Sequence, residues 1–373
     1  MIKSCLFILF LLPLTCFAQF VITGKVLSST NKTPVANASV FLNNAVAGSK
    51  TDDKGAFTIT NVRPGQYDLV VSSLGYETSH QNIMVNADVK LATIEISPKT
   101  MMLQEVKIRS NGNWKRDYEK FKRYFFGESA FADKCKILNK DLPDVLDLDY
   151  DSKTMMLTAK SNDFLEIENK ALGYKIKYLL SDLERNARTG SFYYEGTAAF
   201  EELAGSESQI RRWKKNRLKA YEGSSMQFLR SVVTNTITDN GFKVLRLISK
   251  SDPGGISFGS QSFRTLVDLP LNTSDFVKPT DVEGEYALSF KDCLYVMYNK
   301  KRAHSGNTIT KEWSSNAAWN DALITTLIFN EPYAFFDNNG IIINPLSISF
   351  DGNWGRRLMA ELLPVDYVPG SSD

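Results

Sequence analysis

The chain has 373 residues, enough for two or three domains that each bury a core. Its 44 basic and 42 acidic residues leave a formal net charge of +2, so no global field selects nucleic acid or anionic lipid. Two histidines and four cysteines exclude a histidine-rich metal centre and a dense disulfide framework.

Residues 1–18 read as an export signal: Lys3 supplies the positive start, "CLFILFLLPL" the apolar stretch, and "CFA" a small-residue cleavage site that leaves Gln19 first. The stretch is short for a membrane span and is broken by Pro13. Cys16 raises lipid anchoring as an alternative, which the bulky Pro13, Leu14 and Thr15 before it oppose. Later in the chain no run reaches about 18 apolar residues, so the mature chain is expected to carry no transmembrane segment.

Residues 19–109 alternate short β segments with turns. "FVITGKVLS", "SVFLNN", "AFTITNV", "YDLVVSSL", "IMVN" and "LATIEIS" are separated by "TNKTPVANA", "TDDKG", "RPGQ" and the turn at Gly75, which predicts a small antiparallel β-sandwich. The boundary falls near Ser110. Next, Trp114, Tyr118, Phe121 and Phe125 recur at helical spacing over 114–126, with Gly127 as the stop.

From Leu138 the pattern returns to strands: "VLDLDYD", "TMMLTAK", "FLEIEN", "LGYKIKYLLSDLE" and "GSFYYEGTAAFEEL". A helical insertion over 206–240 interrupts them. Ile210, Trp213, Arg217, Leu218 and Tyr221 fit one helix with Ser206 as its N-cap; Met226, Leu229, Val233 and Ile237 fit a second, closed at Gly241. Strands then run to the end. The 110–373 region is therefore expected to be a β-rich α+β domain, with no tandem repeat or low-complexity tract.

The segments "ITGKV", "TPVANASVFL", "TDDKGAFTITNVRPGQYDLVVSSLGYE" and "MLQEVKI", between Ile22 and Ile108, resemble the carboxypeptidase-regulatory-like domain, a prealbumin-like module common in exported proteins of Bacteroidota. The resemblance implies a module that accompanies catalytic or transport domains and is not itself a peptidase. It also begins many TonB-dependent receptors, but the roughly 260 residues that follow here are too few for a plug and a 22-stranded barrel. The remainder resembles exported Bacteroidota proteins through "KCKILN", "EIENKALGYKIKY", "RRWKKNRLKAYEGS", "FLRS" and "LLPVDYVP", a resemblance that brings no activity with it. It implies the periplasm or the periplasmic face of the outer membrane.

Among candidate chemical groups, His80 and His304 lack the neighbouring acid of a zinc peptidase motif, so no metal or cofactor is expected. In "TDDKG" the two adjacent carboxylates match turn chemistry better than the twelve-residue spacing of a calcium loop. "GISFG" places Ser257 at the centre of a nucleophile-elbow pattern, with His304 and an acid such as Asp268 or Asp281 downstream, but the flanks lack the required strand and helix.

"RRWKKNRLK" concentrates Arg211, Arg212, Trp213, Lys214, Lys215 and Arg217 on one helix; this reads first as a solvated charged face with Trp213 and Leu218 packed inward, and contact with an anionic ligand or an acidic partner is the best functional use of it. Asp147, Asp149 and Asp151 share one strand face and read as a solvent-facing strand guarded against edge pairing in preference to a cation site, which lacks backbone or loop ligands; an ion pair with that basic helix is a further use for them. Cys135 and Cys293 are either a bridge or two separate thiols. The expected function is a non-enzymatic envelope protein that binds or scaffolds an envelope protein or anionic envelope ligand. A serine hydrolase using Ser257 and an accessory protein of a TonB-dependent uptake system are the alternatives.

Overall fold

A computed structural model describes residues 19–99, 114–250, 263–300 and 322–370. Strands β1 (Phe20–Ser28), β2 (Ser39–Leu42), β3 (Gly48–Lys50), β4 (Ala56–Val62), β5 (Gly65–Ser72), β6 (Ser79–Val85), β7 (Val89–Lys90) and β8 (Ile94–Ile96) build an N-terminal sandwich. One sheet has the order β4-β1-β7 with β8 also on β1; the other is β3-β2-β5-β6. Ile22, Val26, Ile59, Leu69 and Val71 alternate into the core between them. The sandwich is not purely antiparallel, because β7 and β8 return to β1 in parallel.

The acidic "TDDKG" is a turn. Asp52 accepts hydrogen bonds through one carboxylate oxygen from the backbone N–H groups of Lys54 and Ala56, each at 2.8 Å, while Gly55 takes φ +75°. A Cβ at Gly55 would lie 2.4 Å from the Val26 carbonyl oxygen, so both the turn and the close strand require glycine.

Helix α1 (Trp114–Phe126) packs on a six-stranded antiparallel sheet made of β9 (Cys135–Ile137), then, after the single turn α2 (Leu142–Val145), β10 (Leu146–Asp151), β11 (Met156–Ser161), β12 (Leu165–Asn169), β13 (Tyr174–Asn186) and β14 (Phe192–Glu202). Phe121 and Phe125 of α1 stack 5.0 Å apart and meet Tyr178 and the inward row Ile176, Leu180 and Leu183. A register shift between Leu180 and Asp182 keeps Leu183 on the core side.

Helices α3 (Glu207–Tyr221) and α4 (Ser225–Val233) follow. The second helix is shorter than its periodicity predicts: Asn235 at φ +53° ends it, and Ile237 reaches the core from the following turn. Then β15 (Phe242–Lys250), β16 (Phe263–Val267), the turn α5 (Thr273–Phe276), β17 (Val277–Pro279), β18 (Glu285–Leu288), β19 (Cys293–Tyr298), β20 (Leu323–Phe329), β21 (Ala334–Asp337) and β22 (Ile348–Gly352) form a five-stranded sheet, β16-β15-β19-β20-β22, and a three-stranded one, β17-β18-β21. Phe228 of α4, Phe242, Phe276 and Trp354 fill the core beside them.

The sandwich is joined to this region by direct contact. Asn44 N–H donates to the Ala198 carbonyl at 2.7 Å and Phe200 N–H to the Ala45 carbonyl at 3.0 Å, so the loop after β2 pairs with the edge of β14. Val365, near the C-terminus, enters the sandwich core cluster. Cys135 and Cys293 are free thiols in different sheets, and burial pushes the Cys135 thiol up to about 12. No helix among the described residues is long and apolar enough to cross a membrane.

Candidate functional site

Helix α3 begins as the sequence requires. Ser206 caps it through a reciprocal capping box with Gln209, fixing the first turn. Two side chains then lock it down. Trp213 is 4% exposed, donates its indole N–H to the Lys170 carbonyl at 3.0 Å, and lies against Gly173 and Gly205. A Cβ at Gly173, where φ is +75°, would sit 2.3 Å from the indole.

Arg217, 5% exposed, donates to the carbonyl oxygens of Leu172 (2.8 Å) and Gly173 (3.3 Å) and to Glu202, with its guanidinium 3.9 Å from the Tyr174 ring centroid. Both of these residues, read from the sequence as part of a binding set, are placed inside the protein with intramolecular partners.

Arg211, Arg212, Lys214 and Lys215 of the same set are exposed, as is Lys219. Arg211 pairs loosely with Glu207 at 3.3 Å, both at the surface. Leu218, expected to pack inward, is 37% exposed, because with Trp213 and Arg217 facing the protein its position falls on the outer crest beside Arg211 and Lys215. The arrangement is a rigid helix presenting a cationic surface with an apolar residue among the charges.

The acidic strand lies elsewhere. Asp147 and Asp149 on β10 face Lys160, Thr158 and Asp182 in a shallow depression, whereas α3 is anchored on the Lys170–Gly173 turn and Glu202. Asp151 is turned to local capping: it accepts from the Lys153 N–H and the Thr154 hydroxyl, which hold its carboxyl below the usual range. Ser257 and His304 lie outside the described residues. Among the described residues, no group of three His, Cys, Asp or Glu side chains is placed to hold a metal ion.

A second polar constellation, not legible in the sequence, forms the seam between the sandwich and the rest. Arg230 of α4 donates to three backbone carbonyls: Asn339 at 2.8 Å, Tyr367 at 2.8 Å and Val365 at 2.7 Å. Asn339 in turn donates from its side chain to the Gln66 carbonyl on β5 at 2.8 Å. Asp337 accepts from the Ile341 N–H at 2.8 Å, and desolvation raises its carboxyl to about 6. Asp366 accepts from the Val46 N–H at 3.0 Å, and burial raises its carboxyl too. At the rim, His80 bonds Asp68 at 2.9 Å, Asp68 accepts from Asn43 at 3.1 Å, and the Asn43 side-chain oxygen accepts from the Ala198 N–H at 3.0 Å. "FLRS" and "LLPVDYVP" contribute Arg230, Val365, Asp366 and Tyr367, but neither stretch announces that it meets the other.

The fold and these two constellations define a mostly β protein in which a small sandwich is fixed to a larger β-rich region that carries a cationic helix. Residues 22–108 match the family model of the CarboxypepD_reg-like domain, so the N-terminal unit is a domain of that type. No curated protein matches the chain.

Among solved structures, a cohesin–X-dockerin complex from Acetivibrio cellulolyticus matches at 25% identity and TM-score 0.19, over 21% of this chain and 56% of that one, little more than half its length. A DUF3823 family protein from Bacteroides ovatus matches at 11% identity and TM-score 0.18, covering 50% of this chain and 83% of that one. A protein of unknown function from Bacteroides fragilis, described as membrane-associated, matches at 10% identity and TM-score 0.18 over 50% and 84% of the two chains.

Proposed function

We propose that this chain is a non-enzymatic binding or scaffolding protein of the cell envelope, exported to the periplasm or the periplasmic face of the outer membrane, that meets an anionic partner through the exposed face of α3. The observation that carries the reading is the division of labour along one helix. Trp213 and Arg217 are buried and fix the helix, while Arg211, Arg212, Lys215 and Lys219 remain at the surface. A fixed helix presents its charges without the ordering cost of a flexible basic tail. Leu218 among those charges suits a surface that combines phosphate groups with apolar matter.

Sedimentation with phosphatidylglycerol vesicles tests this. Each Lys or Arg near an anionic surface contributes about 1 kcal/mol, so loss of two lowers partitioning about thirtyfold. Arg212→Glu with Lys215→Glu is expected to lose at least that much binding while the melting temperature stays within about 2 °C. Equal binding of wild type to neutral vesicles, or undiminished binding by the double variant, would reject the cationic face as the contact.

A further inference from the structure

The central strand of the five-stranded sheet stops early at one end. β19 pairs with β15 only as far as Cys293 opposite Leu247, and with β20 only as far as Leu294 opposite Leu327, yet β15 runs on to Lys250 beside β16 and β20 runs on to Phe329 beside β22. The two neighbours of β19 each present a short unpaired edge there, and an open cleft of about 280 Å³ lies at that end of the sheet. Its walls are apolar: Phe290, Ile328 and Phe329 line it, and both phenylalanines pack on the core beneath, which fixes them. Its charges are divided. Asp292 is neutralised by Arg246 at 2.6 Å. Lys291 is exposed and, among the described residues, has no hydrogen-bond or ion-pair partner. Glu331 is also exposed, and its carboxylate is reached only by the Asn344 amide at 3.5 Å among those residues. Ser249 adds a hydroxyl and Cys293 a half-buried free thiol.

From this set we infer that the cleft is a binding site for a small zwitterion, an α-amino acid with an apolar side chain, separate from the cationic face of α3. One ammonium and one carboxylate without strong partners match a ligand that carries both charges: Lys291 takes its carboxylate and Glu331 its ammonium. A simple anion would be repelled by Glu331 and a simple cation by Lys291, so the pair selects against both. The unpaired edges of β15 and β20 add backbone donors and acceptors beside these charges, which suits a ligand whose two polar groups share one carbon. The apolar side chain then lies against Phe290 and Phe329 and takes ring surface out of water. The volume stands at the lower end of ligand pockets, about 300 Å³, and encloses a single residue rather than a longer peptide.

Isothermal titration of the full chain with L-leucine and L-phenylalanine reads the site. Saturable binding of at least one of them with a Kd below about 1 mM is expected. N-acetyl-leucine, which lacks the ammonium, and leucinamide, which lacks the carboxylate, should each bind about fivefold more weakly or worse, the worth of one exposed ion pair. Lys291→Gln should weaken leucine by that factor and leave leucinamide unaffected, while Glu331→Gln should weaken leucine and leave N-acetyl-leucine unaffected. Both residues are at the surface, so neither change should move the melting temperature. Position is read with a small thiol reagent: saturating leucine should slow modification of Cys293 and leave that of Cys135 unchanged. Absence of saturable binding below about 10 mM, equal binding of leucine and its two blocked analogues, or full binding by both variants overturns the inference. Unchanged modification of Cys293 at saturation puts the ligand elsewhere and overturns it as well.

Discussion

Arg217 offers a direct trial of the claim that α3 is anchored rather than merely basic. In Arg217→Met most of the aliphatic stem remains, so the loss is confined to the guanidinium. The Gly173 carbonyl retains its bond from the Leu203 N–H at 2.9 Å and is not stranded. The Leu172 carbonyl, bonded by Arg217 at 2.8 Å, loses that donor, a penalty of about 1–3 kcal/mol for a buried acceptor. The ring contact with Tyr174 adds about 1 kcal/mol in this desolvated setting. Glu202 is 47% exposed and is resolvated, so its share is below about 1 kcal/mol.

The sum is about 3 kcal/mol, to be measured by urea denaturation at pH 7 with tryptophan fluorescence. Arg212→Glu, on the exposed side of the same helix, should change stability by less than about 0.5 kcal/mol. A loss below about 1 kcal/mol for Arg217→Met, or a loss of vesicle binding by this variant with its stability unchanged, would refute the assignment of Arg217 to the interior.

Three further outcomes follow from the geometry. Gly173→Ala forces a Cβ to within 2.3 Å of the Trp213 ring at a positive φ, and should destabilise by about 2–4 kcal/mol in the same assay, with a blue-to-red shift in tryptophan emission. Asp337→Asn should stabilise the protein at pH 8 by up to about 3 kcal/mol, the equivalent of roughly two pKa units, and the gain should shrink as pH falls through about 6 and vanish below about pH 3, where the carboxyl is protonated in both the folded and the unfolded chain. A fluorophosphonate probe is expected to label wild type and Ser257→Ala equally; labelling of wild type alone would establish the serine hydrolase alternative.

The sequence carried the local chemistry well. Alternation fixed the strand faces, Ser206 and Gln209 spelled the capping box, and the Asp and Gly of "TDDKG" spelled a turn, because each of these depends on residues within a few positions of one another. Leu218 was misassigned because helical periodicity alone cannot tell which arc of a basic helix faces the protein until Trp213 and Arg217 find their partners some 43–45 residues away. The seam was illegible for a stronger reason. Arg230 reads backbone carbonyls, which every residue possesses, so its partners leave no mark in side-chain identity. Val46 and Asp366 meet across 320 positions, a separation no pattern of spacing can encode.

What the seam does to the N-terminal module follows from its buried surface. Phe41 and Val70 are 5% and 0% exposed yet lie outside the sandwich's own core cluster; Phe41 meets Phe164 of the larger region, with ring centroids 6.2 Å apart. Beside them, the Asn44–Ala45 backbone of the module covers the β14 edge at Ala198–Phe200. Removing the module would therefore open a strand edge and an apolar face together, the combination that promotes edge-to-edge aggregation. A sandwich that serves as the edge cover of its neighbour is a structural part of the scaffold as well as an attached domain. Any partner it engages must use the faces that the seam leaves open, such as the Gly75 turn, where Leu74 is 96% exposed.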